Sequence, residues 1–370
     1  MRRECPGIHR QKVVSLLAAG AALVAILVQS VPAGAAQALP PGEKPGHYVR
    51  WSYPSQLPYG PIEGAVGSTG TAPAPMAFLT LPFMGPHYVT SIFDHCGPNY
   101  QTHGRVCRYD GVIASASVGG PDPTFTEGYA QTPGGHDYLY YDGHDGYDYG
   151  LYYEPVAAAA PGTVILADWS VPSCHSCLSG LTVEISHGNG LLSYYGHLSE
   201  IGVAKGQRVK RGQVIGISGS TGTATGPHLH FGIYYTNGRG PVDPYGWSGP
   251  FPDPYPRDLG DLWLSGSPRY ADIPLPHVSV SAVMDASDPT AIDVSWSSSG
   301  SGNVFRVQVV EQDGTEKDWI GAGGAGSAVF HGRRGQPYWF WVSVTTDLGW
   351  TDANSSEVIK LPRPNLQLEG

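Results

Sequence analysis

The sequence predicts a mainly β protein, an antiparallel β-sheet domain followed by a β-sandwich, on three observations. Of its 370 residues 51 are Gly and 33 Pro, which punctuate the chain with turns yet stop short of a disordered or collagen-like composition. Tyr and Trp number 22 and 9, residue types that suit a pleated, half-buried surface. Only 14% of residues are charged, against roughly 25% in an average globular protein, which excludes long salt-laced helices and coiled coils.

The elements follow in order. Arg2, Arg3, Arg10 and Lys12 precede an apolar run from Val13 to Val28, and Ala36-Gln37-Ala38 then offers a small-x-small cleavage site. That layout predicts a secretory signal peptide over 1–38, because the run is shorter than the roughly 20 residues that span a bilayer. Four bases and one acid leave with it, so 17 Lys and Arg face 30 Asp and Glu and the net charge is −13. That sign excludes nucleic-acid binding driven by phosphate. The expected product is a secreted protein, with no membrane partner after signal removal.

Export puts Cys96, Cys107, Cys174 and Cys177 in an oxidising compartment, where the local pairing is Cys96 with Cys107 and Cys174 with Cys177. Two alternatives are weaker. A four-Cys zinc site has only one CxxC pair to build on, and a redox CxxC lacks the helix opening that usually follows it.

Residues 39–76 are dense in Pro, Gly and Ser and read as a linker or leader. The first domain is expected over 77–250. It opens with AFLTLPF and HYVTSIF and continues through a long irregular insertion at about 94–143 that holds Cys96 and Cys107. From Val156 to Tyr235, short β-rich segments (GTVILADW, LTVEIS, LLSYYGHL, QVIGISG, HLHFGIYY) alternate with turn signals such as His187-Gly188-Asn189-Gly190. Gly206 and Gly212 bracket the turn KGQRVKRG, read as structural since no helix start follows it to make a phosphate cradle.

A second Pro- and Gly-rich stretch at 251–275 reads as a linker. Five alternating segments then fit one immunoglobulin-like β-sandwich over 276–362. Trp296 is placed as its buried aromatic and Tyr338 as a tyrosine-corner residue. These features resemble a fibronectin type III domain.

Three short motifs carry the chemistry. His144 and Asp148 stand four apart in HDGYD, where Gly and Tyr favour a strand that turns both to one face. His228 and His230 stand two apart in HLHF, so on a strand both imidazoles point the same way. His197 ends the strand segment YYGHL. Two imidazoles and a carboxylate make a zinc ligand set with one position open for reaction, and extra histidines beside it serve acid–base work. Singly each motif is weak, since HxH and HxxxD arise by chance.

Their order is not weak. GHDGYDY at 143–149, VEISHGNGLLSYYGHLSEI at 183–201, GQRVKRGQVIGISGSTGTATGPHLHFGI at 206–233 and PVDPYGW at 241–247 resemble in sequence the signatures of the lysostaphin-type (LytM-like) zinc metallopeptidases. The resemblance implies a duplicated-hybrid-motif β fold, Zn2+ held by His144, Asp148 and His230, and catalysis by His197 and His228, without dividing the steps between them. It also implies an endopeptidase acting on the peptide cross-links of bacterial cell-wall peptidoglycan. The competing readings are a non-catalytic cell-wall binding or hydrolase-regulating module, which a missing ligand would mark, and a zinc peptidase of other exported proteins. Two departures stand out: the long stretch before His144, a candidate source of a substrate wall or of a self-inhibiting ligand such as His95 or Asn99, and the Cys174/Cys177 loop. The C-terminal sandwich offers a surface for glycan or protein contact, or acts as a spacer.

Overall fold

The computed structural model describes residues 77–97, 104–108, 112–115, 126–131, 137–247, 253–255, 259–266, 269–299 and 304–363; the signal segment, the 39–76 leader and Asn99 lie outside them. The molecule is nearly all β, with antiparallel sheets. Among the described residues no helix is long and apolar enough to cross a membrane.

The first domain is built on a 10-stranded sheet whose middle runs Gly162–Trp169, Leu181–Ser186, Leu191–Leu198, Leu229–Tyr235, Tyr147–Tyr149 and Val89–Ser91. Pairing is antiparallel except where Val89–Ser91 meets Asp137–Tyr141. A small sheet of Glu200–Ile201, Val214–Ile217 and Pro155–Ala157 packs beside it.

Leu229–Tyr235 is buried along most of its length, and its two faces have different tasks. Leu229, Phe231 and Ile233 alternate into the core with Tyr195 and Trp263. His230, Gly232 and Tyr234 alternate onto the opposite face. Tyr195 is a packing residue: its hydroxyl accepts from the Ala159 amide (2.8 Å) and from Ser193 Oγ (2.9 Å). Tyr138 and Tyr140 are buried likewise.

The stretch read as a linker at 251–275 contributes to this core. Leu262 and Trp263 are fully buried, and the amides of Phe78 and Leu79 both donate to the Leu262 carbonyl. A Pro-rich composition hid an aromatic anchor whose burial is worth about 1.5–3 kcal/mol or more.

The C-terminal body is a two-sheet sandwich. His277–Met284, Ala291–Ser299 and Gly326–His331 form one sheet; Glu316–Gly323, Val304–Glu311, Pro337–Thr345, Thr351–Ser355 and the short Ile359–Lys360 form the other. Trp296 is buried between them, and Tyr338 OH accepts from the Arg333 amide at 2.9 Å.

Candidate metal centre and active site

Strand register sets the site. Directly across the central strand, His230 pairs with Asp148 on one side and with Gly196 on the other, so one row of the sheet carries an imidazole, a carboxylate and a bare Cα. His144 reaches the row from outside it. The HDGYD segment is not one strand, as its composition suggested: the strand begins only at Tyr147, and His144 sits in the turn before it.

The turn is pinned by Asp94. Its carboxylate accepts from the amides of Cys96 (2.8 Å), Cys107 (3.0 Å) and Gly143 (2.9 Å), while the Asp94 amide donates to the His144 carbonyl (2.9 Å). Burial raises this carboxyl to about 6 in spite of those three donors. The Cys96–Cys107 disulfide closes the same loop. Tyr141 stacks on the His144 ring at 4.4 Å.

Gly146 makes the approach possible. A Cβ there would stand 2.5 Å from the Phe231 carbonyl oxygen and 2.9 Å from His230 Cε1, so the chain can only pass the ring without a side chain.

Three donor atoms converge, from His144, Asp148 and His230, all within 4.8 Å of one another. His144 Nε2 lies 3.2 Å from Asp148 Oδ1 and 3.2 Å from His230 Nδ1, and His230 Nδ1 lies 3.0 Å from Asp148 Oδ1. Ligands about 2.0–2.1 Å from a tetrahedral zinc are about 3.3 Å apart, so the triangle has the size of a tetrahedron's face. The tautomers agree. His144 Nδ1 is 2.6 Å from the Ile92 carbonyl oxygen, which only accepts, so Nδ1 carries the proton and Nε2 is bare. The donor set therefore fits a divalent cation with nitrogen and oxygen ligands.

The three groups also act on one another's protons. Burial opposes ionisation of Asp148, but the charge and hydrogen bond of His144, joined by His230, hold the carboxyl well below its usual range. Burial also opposes a charged His230, and the hydrogen bond and charge of Asp148 outweigh it, so that imidazole is raised.

His197 and His228 face the triad. Along Leu191–Leu198 regular alternation would turn His197 into the core beside Tyr195. Instead the pairing with Leu181–Ser186 slips between Tyr195 and Leu198, and His197 adopts φ 59°. This bulge re-aims the ring to the triad side, 4.5 Å from the His228 ring and 6.1 Å from that of His230. His197 Nδ1 donates to the Thr221 carbonyl (2.7 Å) and His228 Nδ1 to the Gly226 carbonyl (2.8 Å), leaving both Nε2 atoms bare. Burial, then the neighbouring His228 and His230, push His197 down to about 4, which keeps the ring neutral near pH 7.

The Cys174–Cys177 disulfide closes a loop that supports this second pair. The amide of His197 donates to the Ser179 carbonyl, and those of Gly222 and Thr223 to His175 and Leu178. His95 is elsewhere. Its Nε2 is 2.7 Å from Asp243 Oδ2 and its Nδ1 3.1 Å from Asp253 Oδ1, so it is engaged in a buried network and not available as a self-inhibiting ligand.

Sequence reasoning named all five histidine and aspartate positions brought together here. It missed the carbonyls of Ile92 and Thr221 that fix the tautomers, and Asp94, because their partners lie far along the chain. Asp145 was within the quoted motif and carries a signal of its own, an acid next to a ligand.

A profile of Peptidase family M23 matches residues 142–244. Peptidoglycan DD-endopeptidase ShyA of Vibrio cholerae is 43% identical over 24% of this chain and 19% of its own length. Glycyl-glycine endopeptidase ALE-1 of Staphylococcus capitis is 41% identical over 21% of this chain and 20% of its own. The chain thus spans about a fifth of these curated relatives. Among solved structures, the catalytic domain of the antimicrobial peptidase lysostaphin from Staphylococcus simulans is 32% identical over 30% of this chain and 80% of that one, with a TM-score of 0.23.

Proposed function

Residues 142–244 form a Peptidase family M23 domain, and from that premise we infer that the protein is an exported zinc metalloendopeptidase that hydrolyses peptide bonds in peptidoglycan cross-links. The observation that carries the reading is the triangle of three donor atoms, from His144, Asp148 and His230, with two more imidazoles facing it. The names of the relatives, which describe peptidoglycan and glycyl-glycine endopeptidases, supply the substrate class. The basic and apolar N-terminal segment supplies export.

Zinc bound there supplies Lewis acidity and lowers the pKa of water from about 15.7 toward roughly 7. The remaining work belongs to the chain. His144, Asp148 and His230 would hold the ion, His144 through the Nε2 lone pair that the Ile92 carbonyl leaves free. One of His197 and His228 takes a proton from the attacking water through Nε2 and gives it to the leaving amine, while the other orients that water through its own Nε2. The C-terminal sandwich is read as fibronectin type III-like, supported by its three- and five-stranded sheets and by the Tyr338 corner bond, and as the surface that contacts glycan or protein.

The test is mass spectrometry of purified cell wall incubated with the mature protein, with and without chelator. New amine and carboxyl ends at cross-links, lost on chelation and restored by zinc, are the expected result. Cleavage that survives removal of the metal would overturn the mechanism, and intact cross-links with zinc present would overturn the activity.

A further inference from the structure

One acid touching the triad has no part in the reading above. Asp145 Oδ1 lies 3.5 Å from His230 Nε2, the ring nitrogen opposite the one that faces Asp148. Its other oxygen, Oδ2, accepts from the Tyr234 hydroxyl at 2.5 Å. Tyr194 stands edge-on to the His230 ring at 5.9 Å and lies 5.6 Å from the Tyr234 ring, closing the same corner.

We infer that Asp145 is a positioning residue for His230, held in aim by Tyr234, so that a carboxylate–imidazole–zinc relay forms when metal binds. The inference rests on the zinc reading above. For His230 Nδ1 to offer a lone pair beside Asp148, the ring proton must sit on Nε2. Asp145 Oδ1, 3.5 Å from Nε2, is the carboxylate placed to become the acceptor of that proton when the ring binds metal. A carboxylate there fixes the tautomer and makes Nδ1 a stronger donor, which is the usual partnership of a metal-bound imidazole.

The central strand builds the arrangement. His230, Gly232 and Tyr234 follow one another at period two on the same face, so the ligand and the residue that orients its partner belong to one strand. The middle position has no side chain. A Cβ on Gly232 would stand 2.8 Å from Tyr234 Cε2 and 3.2 Å from the Asp145 carbonyl oxygen, blocking the lean of the tyrosine toward Asp145. The Asp145 side chain is 26% exposed, so its replacement leaves the core intact.

The experiment compares full-length wild type with Asp145→Asn, Tyr234→Phe and the double variant. Zinc affinity is measured by competition with a fluorescent chelator, metal-free unfolding by thermal melting, and ligand geometry by the visible spectrum of the cobalt-substituted protein. Asp145→Asn is expected to weaken zinc binding by about 10–100-fold, shift the cobalt spectrum and leave the metal-free midpoint unchanged. Tyr234→Phe should lose less, and the double variant no more than Asp145→Asn alone, because the tyrosine acts through the acid. Wild-type affinity and spectrum in Asp145→Asn would overturn the inference, as would a tyrosine effect that adds in full to the aspartate effect. A wild-type protein that binds no zinc would sink the metal reading itself, whereas tight wild-type binding with unchanged variants sinks only the role of Asp145.

Discussion

His197 occupies a position that a regular strand would have buried, and it reaches the triad only through a left-handed backbone at φ 59°. A non-glycine residue held there costs of order 1–3 kcal/mol, the kind of strain found where a side chain must be aimed. Since His197 makes no contribution to the three-atom triangle, its loss and that of a ligand should separate. His197→Ala is expected to lower kcat by about 10²–10⁴-fold with zinc content unchanged, while His144→Ala loses the metal as well; turnover and metal analysis on the same preparations check both. A further residue-scale effect lies at Glu154, whose Oε2 is 3.2 Å from His87 Nε2. Burial raises the Glu154 carboxyl from 4.5 to about 7, and burial lowers His87 from 6.5. Between pH 4.5 and 7 folded Glu154 keeps a proton that the unfolded chain releases, so its contribution is complete below that window and lost as pH rises through it. His87 acts with the opposite sign below 6.5, where the unfolded chain takes up more protons. The glutamate therefore shows alone from about pH 6.5 upward. Glu154→Gln should flatten the fall of melting temperature between pH 6.5 and about 7; an unchanged slope in a pH series would refute the assignment.

At the scale of elements, the site is a seam between two strands and a turn, and Gly146 is where they meet. Its missing Cβ would press on a backbone oxygen, that of Phe231, which cannot move without shifting the central strand. Gly146→Ala should therefore cost about 1–3 kcal/mol of stability and weaken zinc binding, measured by denaturant midpoint and by chelator competition. A stable variant with wild-type affinity would show that the seam is looser than this. The same seam explains what the sequence could reveal. His228 and His230 are two apart on a strand, so local periodicity exposed them, and His144 and Asp148 fell within one short motif even though only Asp148 lies in the strand. The bulge at His197 depends on pairing with Leu181–Ser186, and the carbonyl that sets the His144 tautomer belongs to Ile92, 52 residues away. Neither leaves a mark in the nearby composition. Trp263 was hidden for a similar reason, since prolines and glycines around it read as a linker while its ring closes the core of a domain begun at residue 77.

Over the whole molecule, the two β bodies meet at the turn KGQRVKRG. Trp350 of the sandwich is buried and donates from Nε1 to the Gly212 carbonyl at 2.8 Å, and the Val214 amide donates to the Leu348 carbonyl at 2.7 Å. Gly212 has φ 75°, and a Cβ there would collide with Ile273, so the segment joining the bodies lies against the same turn. The nearby Lys210–Asp347 pair, with side chains 73% and 57% exposed, adds little. Among the described residues docking thus rests on the Trp350 ring, its indole bond to Gly212 and one backbone hydrogen bond. Arg208–Val209, within that turn, pairs at one end of the large sheet, whereas the triad straddles its middle, so loosening the contact leaves the chemistry untouched. Trp350→Ala should uncouple the bodies: calorimetry is expected to resolve two unfolding transitions where the wild type shows overlapping ones, with zinc affinity and cleavage of a short soluble cross-link peptide unchanged. Cleavage of intact wall distinguishes what the docking is for. If the sandwich orients the peptidase on its polymer, Trp350→Ala loses activity on the wall alone; if it is a spacer, both substrates are cut at the wild-type rate. A loss on the soluble peptide as well would show that the turn and the metal site are coupled through the sheet, contrary to the separation argued from their positions.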